Sequence, residues 1–141
     1  DLAERLLLSA QCVAIAQLAY DESVSFAKLR TTFGKPLSRH QVIRHKLADM
    51  ATQLHAARAL VGECAIRCQR GEVQMSQLAM CKNTATDMCS FVVDQAVQIH
   101  GGQGYMRESL VERLYRDARL YPIGGGTREI MNEIIAQAEG Y

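Results

Sequence analysis

The sequence predicts an all-α protein, an up-and-down helical bundle of the four-helix type with one short additional helix. Three observations carry this reading. Apolar residues recur at helical spacing along most of the 141 residues, and strand-like alternation is almost absent. Two prolines, three phenylalanines and no tryptophan suit a helix-rich, aliphatic core. Glycine-rich stretches fall between the periodic segments, where they act as stops.

Residues 1–30 carry one apolar stripe at Leu2, Leu6, Val13, Ala16 and Tyr20 and a second at Leu8, Cys12, Ile15 and Ala19. Two stripes on one helix imply burial on more than one side. The segment from Thr31 to Leu37, with Gly34 and Pro36, breaks the pattern. A second helix is expected from Ser38, with Gln41 at capping-box spacing and a seam at Ile43, Leu47, Met50, Leu54, Ala57, Val61, Cys64 and Cys68. Intervals alternating between four and three suit shallow packing against neighbouring helices. Gly71 ends it, and a third helix runs from about Ser76 to His100, its seam interrupted by Gln95. Ser109 and Glu112 repeat the capping-box spacing at the start of a short helix reaching about Leu120. After Gly124–Thr127 comes a last helix with apolar positions Ile130, Ile134, Ile135 and Ala138.

The length fits one domain of ordinary size, and 48% apolar residues exclude a disordered chain. With 16 basic against 15 acidic residues, there is no basic excess of the kind that nucleic-acid binding uses. No uninterrupted apolar run approaches a membrane span. The five cysteines at 12, 64, 68, 81 and 89 are odd in number and form no C-x-x-C. They read as reduced, packed thiols. His40, His45, His55 and His100 lack ligand spacing, so no metal site is expected. The chain starts at Asp1 inside a helical pattern, which suggests a piece of a longer protein.

Three loops carry potential chemistry. Arg30 with Phe33-Gly34 closes the first helix, Gly101–Gly104 closes the third, and Gly124–Thr127 opens the last. A glycine-rich turn entering a helix presents free N–H groups at the positive end of the dipole, suited to an anion or a developing oxyanion. A nearby arginine would favour a diphosphate. Taken alone, glycines at helix ends are mostly plain caps and turns. Gly101-Gly102-Gln103-Gly104 follows a helix rather than a strand, so it lacks the context of a dinucleotide fingerprint.

Taken together, these blocks resemble the acyl-CoA dehydrogenase family. The resemblance rests on Arg30 through Leu37 with Gln41 and Lys46–Met50, on Asp94 through Tyr105, on Arg116–Arg119, and on Ile123 through Ile130. The blocks occur in family order across nearly the whole chain, and residues 1–141 resemble the family's C-terminal helical domain. The resemblance implies that an N-terminal helical domain and a middle β-domain are missing. It also implies FAD as cofactor, acyl-CoA as substrate, an electron-transferring flavoprotein as partner, and a homo-oligomer arranged as a dimer of dimers. The implied setting is fatty acid or branched-chain amino acid catabolism, in the cytoplasm of a bacterium or the mitochondrial matrix of a eukaryote.

By the same resemblance, Arg30, Phe33, Gln41, Gln98, Gly101, Gly102, Thr127 and Glu129 would contact FAD, some from a neighbouring subunit. Many family members carry the catalytic glutamate at the position held here by Gly125. The long-chain and isovaleryl branches place it near the start of the first helix of this domain, where Glu4-Arg5-Leu6 stands. Glu4 is therefore the expected base, with Arg5, Gly125 and Gly126 at the substrate. The Gly125 N–H and the flavin ribityl chain would both donate to the thioester carbonyl. The expected reaction removes the α-proton and a β-hydride to give a trans-2-enoyl-CoA. A catalytically silent FAD-binding or oligomerisation module and an oxygen-using acyl-CoA oxidase remain as alternatives.

Overall fold

A computed structural model describes residues 1–141 as five α-helices. These are α1 (Leu2–Leu29), α2 (Gln41–Gln69), α3 (Met75–His100), α4 (Leu110–Ala118) and α5 (Arg128–Glu139). A hairpin of β1 (Thr31–Thr32) and β2 (Lys35–Pro36) separates α1 from α2. The helices pack into the expected bundle, with α3 touching all four others.

The direction of each helix follows from its end contacts. Phe26 stacks on His100 with ring centroids 4.3 Å apart, so α1 and α3 end together and run parallel. The short connection from Gln69 to Met75 returns α2 against them. On α5, Arg128 pairs with Asp87 and Asn132 accepts from Asn83 at 2.9 Å, so α5 descends along α3. Together α4 and α5 form the fourth limb of the bundle, broken by residues 119–127.

The core lies between α1, α2 and α3. The α2 seam is buried as expected from Met50 to Cys64, with Ile43, Leu47 and Cys68 partly covered. The α1 seam follows expectation at Cys12, Ala16 and Ala19 and differs elsewhere. Its buried residues are Ser9, Cys12, Ala16, Ala19, Ser23 and Ala27, while Leu2 is exposed and Leu6, Val13 and Tyr20 are only half-buried. Small side chains let α1 approach α3 closely, and the large ones flank that line of contact. The two buried serines return their hydroxyls to their own helix, at Arg5 O and Ala19 O, each at 2.8 Å. On α5 the buried residue is Met131. Ile130 is 51% exposed and Ala138 is exposed, so that helix is rotated from the expected face.

Both expected capping boxes are absent. Ser38 lies in a 3-10 turn, Leu37–Arg39, and α2 begins at Gln41 behind His40. The His40 ring is held by Thr32, with Nε2 3.0 Å from its carbonyl and 3.2 Å from its hydroxyl. Ser109 does precede α4, but Glu112 is taken by Arg116 at 2.7 Å instead of reaching back. A true capping box sits at Gln74–Gln77, ahead of α3, where the Gln74 N–H donates to Gln77 Oε1 at 3.2 Å. The hairpin was also unanticipated. Phe33 and Gly34 both have positive φ, 49° and 80°, the two-residue turn whose twist suits an antiparallel pair. By length and hydropathy α1 would also pass for a membrane span, although its small-residue face is packed inside the bundle.

Four of the five thiols are buried: Cys12, Cys64, Cys81 and Cys89. Burial pushes the Cys81 thiol up to about 12 and raises Cys64. A hydrogen bond with Cys89, then burial, drives Cys12 strongly upward. A thiol-disulfide reagent should therefore titrate one cysteine in the folded chain, Cys68, and the rest only in denaturant. Two or more fast thiols would contradict this packing.

Candidate functional site

The sequence-predicted residues gather at two ends of the bundle. Glu4, Arg5, Gly125, Gly126 and Thr127 lie where α1 and α3 begin. Arg30, Phe33, Gln98, Gly101 and Gly102 lie where those helices end, near Gln41 at the start of α2. The rise of α1 puts Glu4 and Arg30 about 39 Å apart.

At the first end, Asp1 caps α1, its carboxylate accepting from the Ala3 N–H at 3.1 Å. Glu4 is exposed in the first turn. Its Oε1 lies 3.7 Å from the point where a Cβ on Gly125 would stand. The carboxylate thus borders the space that a side chain at 125 would enter, although 121 positions separate the two residues. Arg5, half-buried, donates from Nε to the Gly125 carbonyl at 3.3 Å and from Nη1 to Met75 Sδ at 2.8 Å.

The turn itself needs glycine at two places. Gly125 has φ +68° and Gly126 φ +105°. A Cβ at 125 would meet Leu8 Cδ1 at 2.5 Å, and one at 126 would meet Met131 Cε at 2.7 Å. The Gly124 N–H is used within the turn, donating to Leu120 O at 2.9 Å, whereas the N–H groups of Gly125 and Gly126 have no acceptor in the protein. Thr127 then caps α5, its hydroxyl accepting from the Ile130 N–H at 3.3 Å, and Glu129 is exposed in the first turn.

One member of this end was missed. Lys82, 1% exposed, reaches from α3 and donates from Nζ to both the Gly124 and Gly126 carbonyls. Burial, then the positive charge of Arg5, lowers its pKa, with Cys12 and Glu4 opposing. The signal lay in the sequence: Lys82 shares a helix face with Leu78, Ala85 and Cys89, a charge in an apolar seam.

At the other end, Phe33 is 98% exposed at the tip of the hairpin, on a backbone with positive φ. An exposed aromatic side chain on a strained turn suits contact with a ligand or partner. Arg30 is exposed and forms no ion pair. The Gln41 side chain does not cap α2, so it too is available. Gln98, Gly101 and Gly102 are exposed, and a Cβ on either glycine would meet nothing within 4 Å, leaving the backbone open to close approach. A cleft of about 690 Å³ adjoins them, lined among others by Asp94, Gln98, Tyr105, Arg107 and Tyr115. This donor set of one free guanidinium, two free amides, an aromatic ring and bare backbone fits a flavin dinucleotide.

Residues 2–140 match the family model described as the acyl-CoA dehydrogenase C-terminal domain. The chain is 42% identical over 132 residues to a 3-(aryl)acrylate reductase of Clostridium sporogenes, covering 94% of this chain and 35% of that protein. It is 39% identical over 132 residues to the caffeyl-CoA reductase-Etf complex subunit CarC of Acetobacterium woodii, with the same coverage. The crystal structure of a probable acyl-CoA dehydrogenase from Mycobacterium abscessus superposes with a TM-score of 0.97 at 50% identity, over 99% of this chain and 37% of that one. The chain spans about a third of the length of these proteins.

The turn geometry makes a direct prediction. Gly125→Ala should destabilise the fold by about 1–2 kcal/mol, from the left-handed backbone and the displaced Leu8 methyl. Urea unfolding measures this, and an unchanged midpoint would contradict the described turn.

Proposed function

Since the chain belongs to the acyl-CoA dehydrogenase family, as its C-terminal domain, we propose that it carries the catalytic base of an FAD-dependent acyl-CoA dehydrogenase and that this base is Glu4. The observation that carries the reading is the position of the Glu4 carboxylate against Gly125, at 3.7 Å from the absent Cβ. A carboxylate supplied by α1 stands beside the space that a glutamate at 125 would use. General-base chemistry needs the oxygen at the α-hydrogen, whichever element delivers it.

In this reading Glu4 takes the α-proton while the Gly125 N–H, free of any protein acceptor, donates to the thioester oxygen as charge develops there. Bound FAD supplies the two-electron acceptor for the β-hydrogen. Arg5 holds the Gly125 carbonyl and so ties the base-bearing helix to the donor-bearing turn. Arg30, Phe33, Gln41, Gln98, Gly101 and Gly102 are assigned to FAD. They stand too far from Glu4 for one extended dinucleotide to meet both ends of the same chain. That separation supports an oligomer in which each chain serves one flavin with its base and another with its far end. Thr127 and Glu129, near Glu4, are assigned to the first of these. An electron-transferring flavoprotein is the proposed redox partner, in keeping with the Etf-complex subunit among the relatives.

A second reading concerns direction. Relatives named as reductases favour the reverse reaction, in which a protonated Glu4 would return the α-proton to an unsaturated acyl group whose β-carbon would take a hydride from reduced flavin. The residues and their places are the same.

In the FAD-loaded enzyme, Glu4→Gln should slow anaerobic flavin bleaching by acyl-CoA about 10²–10⁴-fold, with little change in substrate affinity. Adding Gly125→Glu should restore part of the rate, and more of it when Leu8→Ala clears the methyl that blocks position 125. Bleaching by Glu4→Gln at the parent rate would place the base elsewhere.

Arg30→Ala should weaken flavin retention and oligomer stability together, by roughly tenfold or more, as expected for a lost charged hydrogen bond of about 1.5–3 kcal/mol. Flavin content and mass after dilution measure both. Unchanged retention would return Arg30 to a solvated charge at a helix end.

A further inference from the structure

Lys82 is the largest of the fully buried side chains, and no carboxylate pairs with it. Its two acceptors are the carbonyls of Gly124 and Gly126, and Arg5 Nε takes the carbonyl between them at 3.3 Å. Three consecutive carbonyls of one turn are therefore held by cationic side chains. A peptide unit is planar and trans, so its N–H points opposite to its C=O. Fixing the Gly124 carbonyl on Lys82 turns the Gly125 N–H away from Lys82, and that N–H has no protein acceptor.

We propose that Lys82 is a positioning residue, gripping the Gly124 and Gly126 carbonyls so that the Gly125 N–H stays aimed at the substrate's thioester oxygen. The proposal rests on the reading of Glu4 and Gly125 given above. The turn needs such a grip. Gly125 and Gly126 are the residues with the widest backbone freedom, and neither has a side chain to anchor it. A lysine suits the task because one flexible arm carries enough donors for two carbonyls. Those donors outlast titration, since an ammonium offers three N–H bonds and a neutral amine still offers two. Arg5 cannot replace it, because its bond falls on the Gly125 carbonyl and orients the next N–H along.

The test uses Lys82→Met in the FAD-loaded enzyme, since methionine keeps an unbranched arm and removes every donor. Two readouts are expected to move together. Amide hydrogen exchange in residues 120–128 should rise about tenfold or more while α2 stays protected. Single-turnover flavin bleaching should slow about tenfold to a hundredfold, with acyl-CoA affinity little changed, as for a misaimed transition-state donor. Lys82→Gln, which keeps N–H donors on a shorter neutral arm, should fall between Met and the parent, and it decides the matter if the Met variant does not fold. Bleaching at the parent rate by a folded Lys82→Met enzyme overturns the positioning role alone, as does a rate loss without faster exchange in 120–128. A parent enzyme that acyl-CoA fails to bleach, or a Glu4→Gln enzyme that bleaches at the parent rate, overturns the underlying reading, and the positioning role with it.

Discussion

Three carbonyls in a row, from Gly124 to Gly126, accept hydrogen bonds from Lys82 and Arg5, and the rest of the Glu4 end depends on that grip. Lys82 comes from α3 and Arg5 from α1, while the turn interrupts the fourth limb of the bundle. The two cations thus tie three separate elements at one point. Burying an ammonium without a carboxylate is costly, and burial lowers its pKa, because two backbone carbonyls only partly replace water. Such a group is expected where position matters more than stability.

The broken fourth limb explains why a bundle can carry a site at all. A continuous helix would satisfy its own N–H groups. The break between α4 and α5 frees those of Gly125 and Gly126, and Thr127 then restarts the helix with a side-chain cap. Close approach of α1 to α3 through Ser9, Cys12, Ala16 and Ala19 brings the first turn of α1 alongside this break. The same rigid helix carries Arg30 and the hairpin to the opposite end. One element therefore serves two separated surfaces, as the proposed oligomer requires.

Much of this was legible in the sequence, and the failures have physical causes. Helix number and order follow from periodicity, and the α2 seam is buried as its spacing predicts, from Met50 to Cys64. The α1 face was legible in part: Cys12, Ala16 and Ala19 are buried as expected, whereas Ser9, Ser23 and Ala27 also join the close contact, which selects small residues. The spacing at Ser38 and Ser109 suggested capping boxes, but Ser38 falls in a 3-10 turn before α2, and Glu112 pairs with Arg116 one turn on, a competing local contact that the same spacing allows. The nearness of Glu4 to Gly125 rested on resemblance, since no periodicity joins residues 121 positions apart. Lys82 was visible as a charge in an apolar seam, but its partners are backbone atoms, which leave no mark in sequence.

The central claim is that the Glu4 carboxylate removes the α-proton beside Gly125. It is tested most directly by separating proton removal from redox chemistry. An acyl-CoA with sulfur in place of its β-carbon has an acidic α-hydrogen and no β-hydrogen to surrender. In deuterated water the FAD-loaded enzyme should exchange the α-hydrogens of this analogue, read by NMR, and Glu4→Gln should bind the analogue without exchanging them. Exchange at the parent rate by Glu4→Gln would contradict the account.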